Sequence, residues 1–213
     1  MNKLNSSIKR ESLILKYAFF HWKLSKQSHS GTAFTYHKKT AYFWFFLVLL
    51  HEQFIEGIFF HFWLKKEDPT VALIVTAVHV YSVLYILGDY NLLRNSPIQV
   101  IKNRVVMSMG ARRSLEFQVS DIESINPVIV RMDHTGATIQ EKNVFHATAF
   151  PRVFTKIFGI GDDAKYEIVF KNELVSKGYF GKMKPIKKVF LSIDEPEELV
   201  QLLREKSSEK VLA

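Results

Sequence analysis

The chain has 213 residues, room for one ordinary domain with a short addition and too little for two large ones. It contains no cysteine, which excludes disulfides, thiol catalysis and Cys-ligated metal or iron–sulfur centres. A hydrophobic share of 47%, with 18 Phe, excludes disorder. The net charge of +8 is unevenly placed: residues 1–40 hold 8 Lys+Arg against 1 Asp+Glu, residues 41–93 hold 2 against 5, and residues 94–213 hold 19 against 15.

Residues 1–40 read as a basic cytoplasmic segment. Within it, residues 11–24 (ESLILKYAFFHWKL) place an apolar and aromatic cluster around Lys16 and Lys23. The stretch is too short to span a bilayer and is expected to form an amphipathic helix on the inner surface, its lysines toward anionic headgroups. No cleavable leader is expected, because the first long apolar run lies forty residues in.

Residues 41–93 predict a transmembrane helical hairpin. The stretch 41–64 (AYFWFFLVLLHEQFIEGIFFHFWL) lacks Lys, Arg, Asp, Asn and Pro, and as a helix its length is about 36 Å. The stretch 70–88 (TVALIVTAVHVYSVLYILG) has no formal charge and extends about 28 Å. Lys65-Lys66-Glu67-Asp68-Pro69 between them is a charged turn whose proline stops one helix and starts the next. Tyr42, Trp44, Trp63, Tyr85 and Tyr90 fit interfacial aromatic belts. Lys23, Lys26, Lys38 and Lys39 before the hairpin, with Arg94, Lys102 and Arg104 after it, predict that both termini are cytoplasmic in a multi-pass protein of the cell membrane.

The spans carry an unusual set of polar groups: His51, Glu52, Gln53, Glu56 and His61 in the first, His79 in the second. An ionisable side chain near the bilayer centre costs about 2.5–3.5 kcal/mol on insertion scales, so these groups are expected to face another helix, water or one another. Glu56 and His79 lie at nearly equal depth from the turn, about 12 and 13.5 Å, which makes a hydrogen bond across the hairpin available. Glu52 shares a stripe with Glu56 and is expected a turn deeper, near Tyr81 and Ser82, while His61 projects to roughly the opposite side. Three readings of the seam formed by His51, Glu52, Glu56 and His79 stay open: polar joints between helices, a metal or proton site, or a contact with a second copy or another membrane protein. His51-Glu52 does not continue into H-E-x-x-H, since residue 55 is Ile.

From residue 94 the pattern changes to short apolar runs between turn signals. Strands are predicted at 98–102, 105–110, 113–119, 128–131, 166–170 and 189–193, with 121–126 as a turn. A closing helix follows, with Asp194-x-x-Glu197 as a capping box and Leu199, Leu202 and Leu203 on one face. Residues 132–163 read as a long irregular stretch, in which His134 and His146 are expected at the surface and the lone Gly159-Ile160-Gly161 lacks the setting of a dinucleotide site. The order of strands then one helix, and the run 97–125 (PIQVIKNRVVMSMGARRSLEFQVSDIESI) with Asp121, Ile122 and Ile125 in a D-I-x-x-I turn, resemble bacterial PH-like domains attached to membrane helices. The resemblance covers roughly 94–206 and implies an α+β membrane protein: a two-helix hairpin followed by a PH-like antiparallel β-barrel with a C-terminal capping helix, then a tail at 207–213.

Lys171, Lys177, Lys182, Lys184, Lys187 and Lys188 gather around a Gly178–Gly181 turn, and Lys177, Lys182, Lys184 and Lys187 are candidates for contact with anionic lipid headgroups. Nucleic acid is not expected, since acids nearly balance the basic residues of this domain and no recognition motif is present. The sequence therefore predicts a non-enzymatic membrane-anchored module for lipid-headgroup or protein contact, self-association included, with no cofactor. The competing reading is an intramembrane metal- or proton-handling enzyme or transport component built on the Glu/His cluster; only two spans argue against a self-sufficient transporter.

Overall fold

The computed structural model describes residues 3–20, 22, 31–129, 141–154 and 164–209. Helix α1 (Lys3–Phe19) is followed by a short strand β1 (Thr32–Phe34), then by two long helices, α2 (Tyr42–Glu67) and α3 (Pro69–Arg94). Strands β2 (Ile98–Ile101), β3 (Arg104–Met109), β4 (Arg113–Gln118), β5 (Ile122–Pro127), β6 (Val144–Ala147), β7 (Tyr166–Lys177) and β8 (Met183–Leu191) lead to helix α4 (Pro196–Glu209).

The two long helices are joined by Asp68 alone. Its carboxylate accepts hydrogen bonds from Thr70 N (2.8 Å) and Val71 N (3.2 Å), capping α3, and Pro69 occupies the first helical position, where a missing N–H costs nothing. Both helices are long and apolar enough to cross a membrane. Only 6% and 11% of their apolar windows are buried within the fold, so they are not core helices. Helix α3 does not stop at Gly88, where the apolar stretch ends. It continues to Arg94, and Gly88, Asp89, Tyr90, Asn91, Leu92 and Leu93 are all buried, with Tyr90 and Leu93 joining the core of the sheet domain.

Helix α1 begins eight residues earlier than the amphipathic pattern suggests and ends at Phe19. It crosses α3 at Gly88, where an added Cβ would lie 2.1 Å from the Ile14 carbonyl oxygen; only glycine permits this approach. The buried Asn91 amide donates to Tyr17 O (2.7 Å) and Phe20 O (3.1 Å), satisfying carbonyls that the end of α1 leaves open. Ile14 and Ala18 face α3, while Ile8, Leu13, Phe19 and Phe20 remain exposed.

The strands form one curled sheet in the order β1-β2-β3-β4-β7-β8-β6, with β5 also paired to β7. The curl follows from sharing of β7. Its first five residues pair with β5, and its far end meets β4 at Ser114↔Lys177. A register shift between Val169 and Leu174 opposite β8 bends it further. Inward residues alternate along the strands, with Met107, Met109, Leu115, Phe117, Ile168 and Phe170 fully or nearly fully buried, and α4 closes the core with Leu199, Val200 and Leu203.

Several expectations are corrected. The sheet is not purely antiparallel, since β6 runs parallel to β8. It also takes β1 from ahead of the hairpin, antiparallel to β2. The stretch 121–126, expected as a turn, forms most of β5: Asp121 sits in a 3-10 turn where its carboxylate accepts from Gln118 N (2.8 Å), and pairing starts at once. Of the strand expected at 128–131, Val128 and Ile129 are in no strand and residues 130 and 131 lie outside the described residues. Asp194 serves the leading segment instead of a capping box: its carboxylate accepts from Thr35 Oγ1, Lys38 N and Lys39 N. His146 lies in β6 with its ring edge-on to Phe190 at 5.3 Å. His134 and the Gly159–Gly161 turn lie outside the described residues, as do Lys23 and Lys26.

Candidate functional site

The polar seam of the hairpin is narrower than its sequence suggests. His79 Nε2 lies 3.9 Å from Glu56 Oε2, as equal depth predicts, and its Nδ1–H donates to Val75 O at 2.9 Å. The ring packs over Gly57, whose missing side chain leaves the space. His61 also meets α3, contrary to expectation: Thr76 Oγ1 gives its proton to Ala72 O (2.7 Å) and accepts from His61 Nδ1 at 2.8 Å. His51 and Glu52 are exposed on the outer side of α2. It is Gln53 that lines a common cavity with Tyr81 and Ser82, since the less exposed row of α2 runs through Leu49, Gln53, Glu56 and Phe60, one helical position from Glu52. Among the described residues no group of three or more His, Asp or Glu side chains is placed to hold a metal ion.

A second polar cluster lies where the hairpin enters the sheet domain. Gly110, at φ +56°, turns the chain from β3 to β4 against Leu92 and Leu93 of α3, and the next residues bring Arg112 inward. Arg112 grips Asp89 bidentately: Nε donates to Oδ1 at 3.0 Å and Nη2 to Oδ2. Nη2 also donates to Tyr42 Oη at 2.7 Å, and Nη1 to Ala149 O. One guanidinium thus ties together the start of α2, the end of α3, the β3–β4 turn and the segment after β6. Arg112, Asp89 and Tyr42 are each less than 10% exposed. Burial disfavours the Arg112 charge, but the Asp89 carboxylate more than offsets this and holds its pKa well above the ordinary arginine value.

Aromatic rings pack around this cluster. Phe46 stacks on Tyr90 with centroids 4.0 Å apart, and Tyr42 meets Phe150 edge-on at 5.6 Å. Beside it a cavity of about 430 Å³ opens between α2 and α3, walled by Phe45, Phe46, Leu49 and Ile86 and floored by the Asp89–Arg112 pair. Its volume is that of a small-molecule site. Three of the hydroxyls that line it are engaged: Ser82 donates to Val78 O, Tyr81 to Glu11 and Tyr42 to Asp89. The rest of the wall is largely apolar, with Pro151 and Phe154 completing it.

The lysines of the β7–β8 hairpin divide into two sets. Lys187 is half-buried, donating to Lys171 O at 2.7 Å and lying 3.9 Å from Glu123, while Lys188 is held by Glu141 and Glu167. Lys177, Lys182 and Lys184 are exposed at the tip, and among the described residues none of them forms an ion pair. They flank a 3-10 turn, Tyr179–Gly181, beside the exposed Val175 and Met183. The tip is fixed in place by α1, since the Arg10 guanidinium sits over the Tyr179 ring at 5.6 Å. Exposed apolar residues of α1 and the basic tip therefore lie together at the sheet-domain end of the hairpin.

The sequence reading names the seam and the lysines but misses Arg112 and Asp89. A signal was present: Asp89 is the sole acid between Asp68 and Glu116, at the end of an apolar run, and such a group needs a cation. No protein-family model, curated protein or solved structure matches the chain.

Proposed function

We propose that this chain is a membrane-anchored, non-enzymatic module: the α2–α3 hairpin spans the cell membrane, both termini are cytoplasmic, and a PH-like half-barrel is held against the inner leaflet to contact anionic lipid headgroups. The exposed apolar flanks of both helices support the anchor. The excess of Lys and Arg on either side of the hairpin supports the orientation. The observation that carries the reading is the β7–β8 tip, where among the described residues Lys177, Lys182 and Lys184 have no acidic partner and lie next to exposed Val175 and Met183 and beside the apolar face of α1. Apolar residues that enter the headgroup layer and lysines that stay at its surface are the two components of an interfacial contact. Each lysine near an anionic leaflet contributes about 1 kcal/mol, so three give an attraction that salt weakens.

The test uses the full chain in nanodiscs of zwitterionic lipid, with and without anionic lipid. Amide exchange over residues 175–184 should slow in the anionic discs. The variant Lys177→Glu/Lys182→Glu/Lys184→Glu should lose that difference while keeping the exchange of the core strands. Equal exchange of the native tip in both lipids overturns the headgroup role.

A further inference from the structure

The outer face of α2 presents Trp44, Val48, His51, Ile55, Ile58 and Phe62, all exposed and spaced alternately by four and three residues. That is the spacing of a helix seam, and it runs uncovered from the sheet-domain end of α2 almost to the turn. His51 lies at its centre with Glu52 beside it. Along the helix Glu52 is about 15 Å from Tyr42 and about 18 Å from Leu64, so in a membrane these two groups stand near the middle of the hydrocarbon. They are among the costliest groups to leave facing lipid. Neither has an ion pair or side-chain hydrogen bond among the described residues.

We propose that the protein forms a two-fold dimer through this face, His51 of each copy meeting Glu52 of the other. Two copies inserted with the same topology are related by an axis along the membrane normal, which sets both α2 helices parallel and level. Residue 51 of one then faces residues 51 and 52 of its neighbour. An acid and an imidazole adjacent in sequence are complementary to themselves under that operation: one contact implies its twin, and all four groups are satisfied without a third kind of residue. The outer face of α3, with Leu73, Ile74 and Val78 exposed, offers no acid or imidazole and no such specification. Glu56 and His79 do not compete, since they face each other inside the hairpin. The inference rests on the membrane-spanning reading but not on headgroup contact, so the nanodisc experiment and the one below fail independently.

The absence of cysteine makes the test direct. Val48→Cys, Ile55→Cys and, as control, Leu73→Cys are expressed in otherwise native full-length protein and oxidised in isolated membranes. A disulfide-linked species of twice the chain mass is expected from positions 48 and 55 and not from 73. In the Ile55→Cys background, His51→Leu and Glu52→Leu should each lower the dimer yield about 5- to 10-fold, whereas the exchanged pair His51→Glu/Glu52→His should restore it. No dimer from 48 and 55, equal dimer from 73, linkage to a different polypeptide, or an exchanged pair as weak as the single variants would each overturn the proposal.

Discussion

The hairpin and its junction with the sheet both place charged groups in apolar surroundings, and they treat those groups differently. At the junction one guanidinium contacts a carboxylate twice, a phenol and a carbonyl, all buried. Halfway along the hairpin, Glu56 and His79 meet across 3.9 Å, with Glu56 about half exposed. The first arrangement is rigid because every polar atom depends on the same side chain. The second tolerates adjustment, as a seam between helices in lipid can. Saturation of the hydrogen bonds, more than the presence of charge, separates a structural clamp from a loose contact.

The difference can be broken at its strongest point. Arg112→Met strands the Asp89 carboxylate and should destabilise the docked domain by about 3–5 kcal/mol, read from denaturant unfolding in micelles. The double variant Arg112→Met/Asp89→Leu should recover a large part of that loss; no recovery would show that the clamp contributes more than charge neutralisation. Next in size is Gly88→Ala, whose methyl would collide with the Ile14 carbonyl. It should release α1 at a cost of about 1–3 kcal/mol, with faster amide exchange over residues 3–20 and little change in the sheet. Glu56→Gln or His79→Ala should cost only about 0.6–2 kcal/mol. A loss as large as that of Arg112→Met would remove the distinction between the two sites.

The smallest effect lies outside both. Burial holds the His37 imidazole below its usual pKa, with Asp194 opposing part of the shift. The folded chain therefore keeps His37 neutral while the unfolded chain takes up a proton near pH 6.5, so stability present above about pH 6.5 declines as pH falls toward the lower folded value. Replacing His37 by Gln should flatten unfolding free energy between about pH 7 and 5.5.

Distances along one helix were legible in the sequence, and orientations between elements were not. Counting residues from the turn sets Glu56 opposite His79, because rise per residue is fixed. It misplaces Glu52, because which row of α2 faces α3 depends on packing around Gly57 and on Gln53, one position away. The helical hairpin, the β2–β4 meander and α4 follow from local periodicity. Strand β6 does not, since parallel pairing with β8 is decided by the edge β8 leaves open and has no local signature. Arg112 escaped for the same reason: its partners are on α2, on α3 and at Ala149, and only the folded chain brings them to one guanidinium.

Helix α3 passes from its apolar stretch into the sheet domain without a break, its last turns buried there. One unbroken helix therefore belongs to both parts. A helix longer than the local bilayer is thick relieves the mismatch by tilting, and in the proposed membrane-spanning arrangement that tilt would pass into the angle of the half-barrel. Within the proposed arrangement, bilayer thickness would set how closely the lysine tip approaches the headgroups, with α3 acting as the lever.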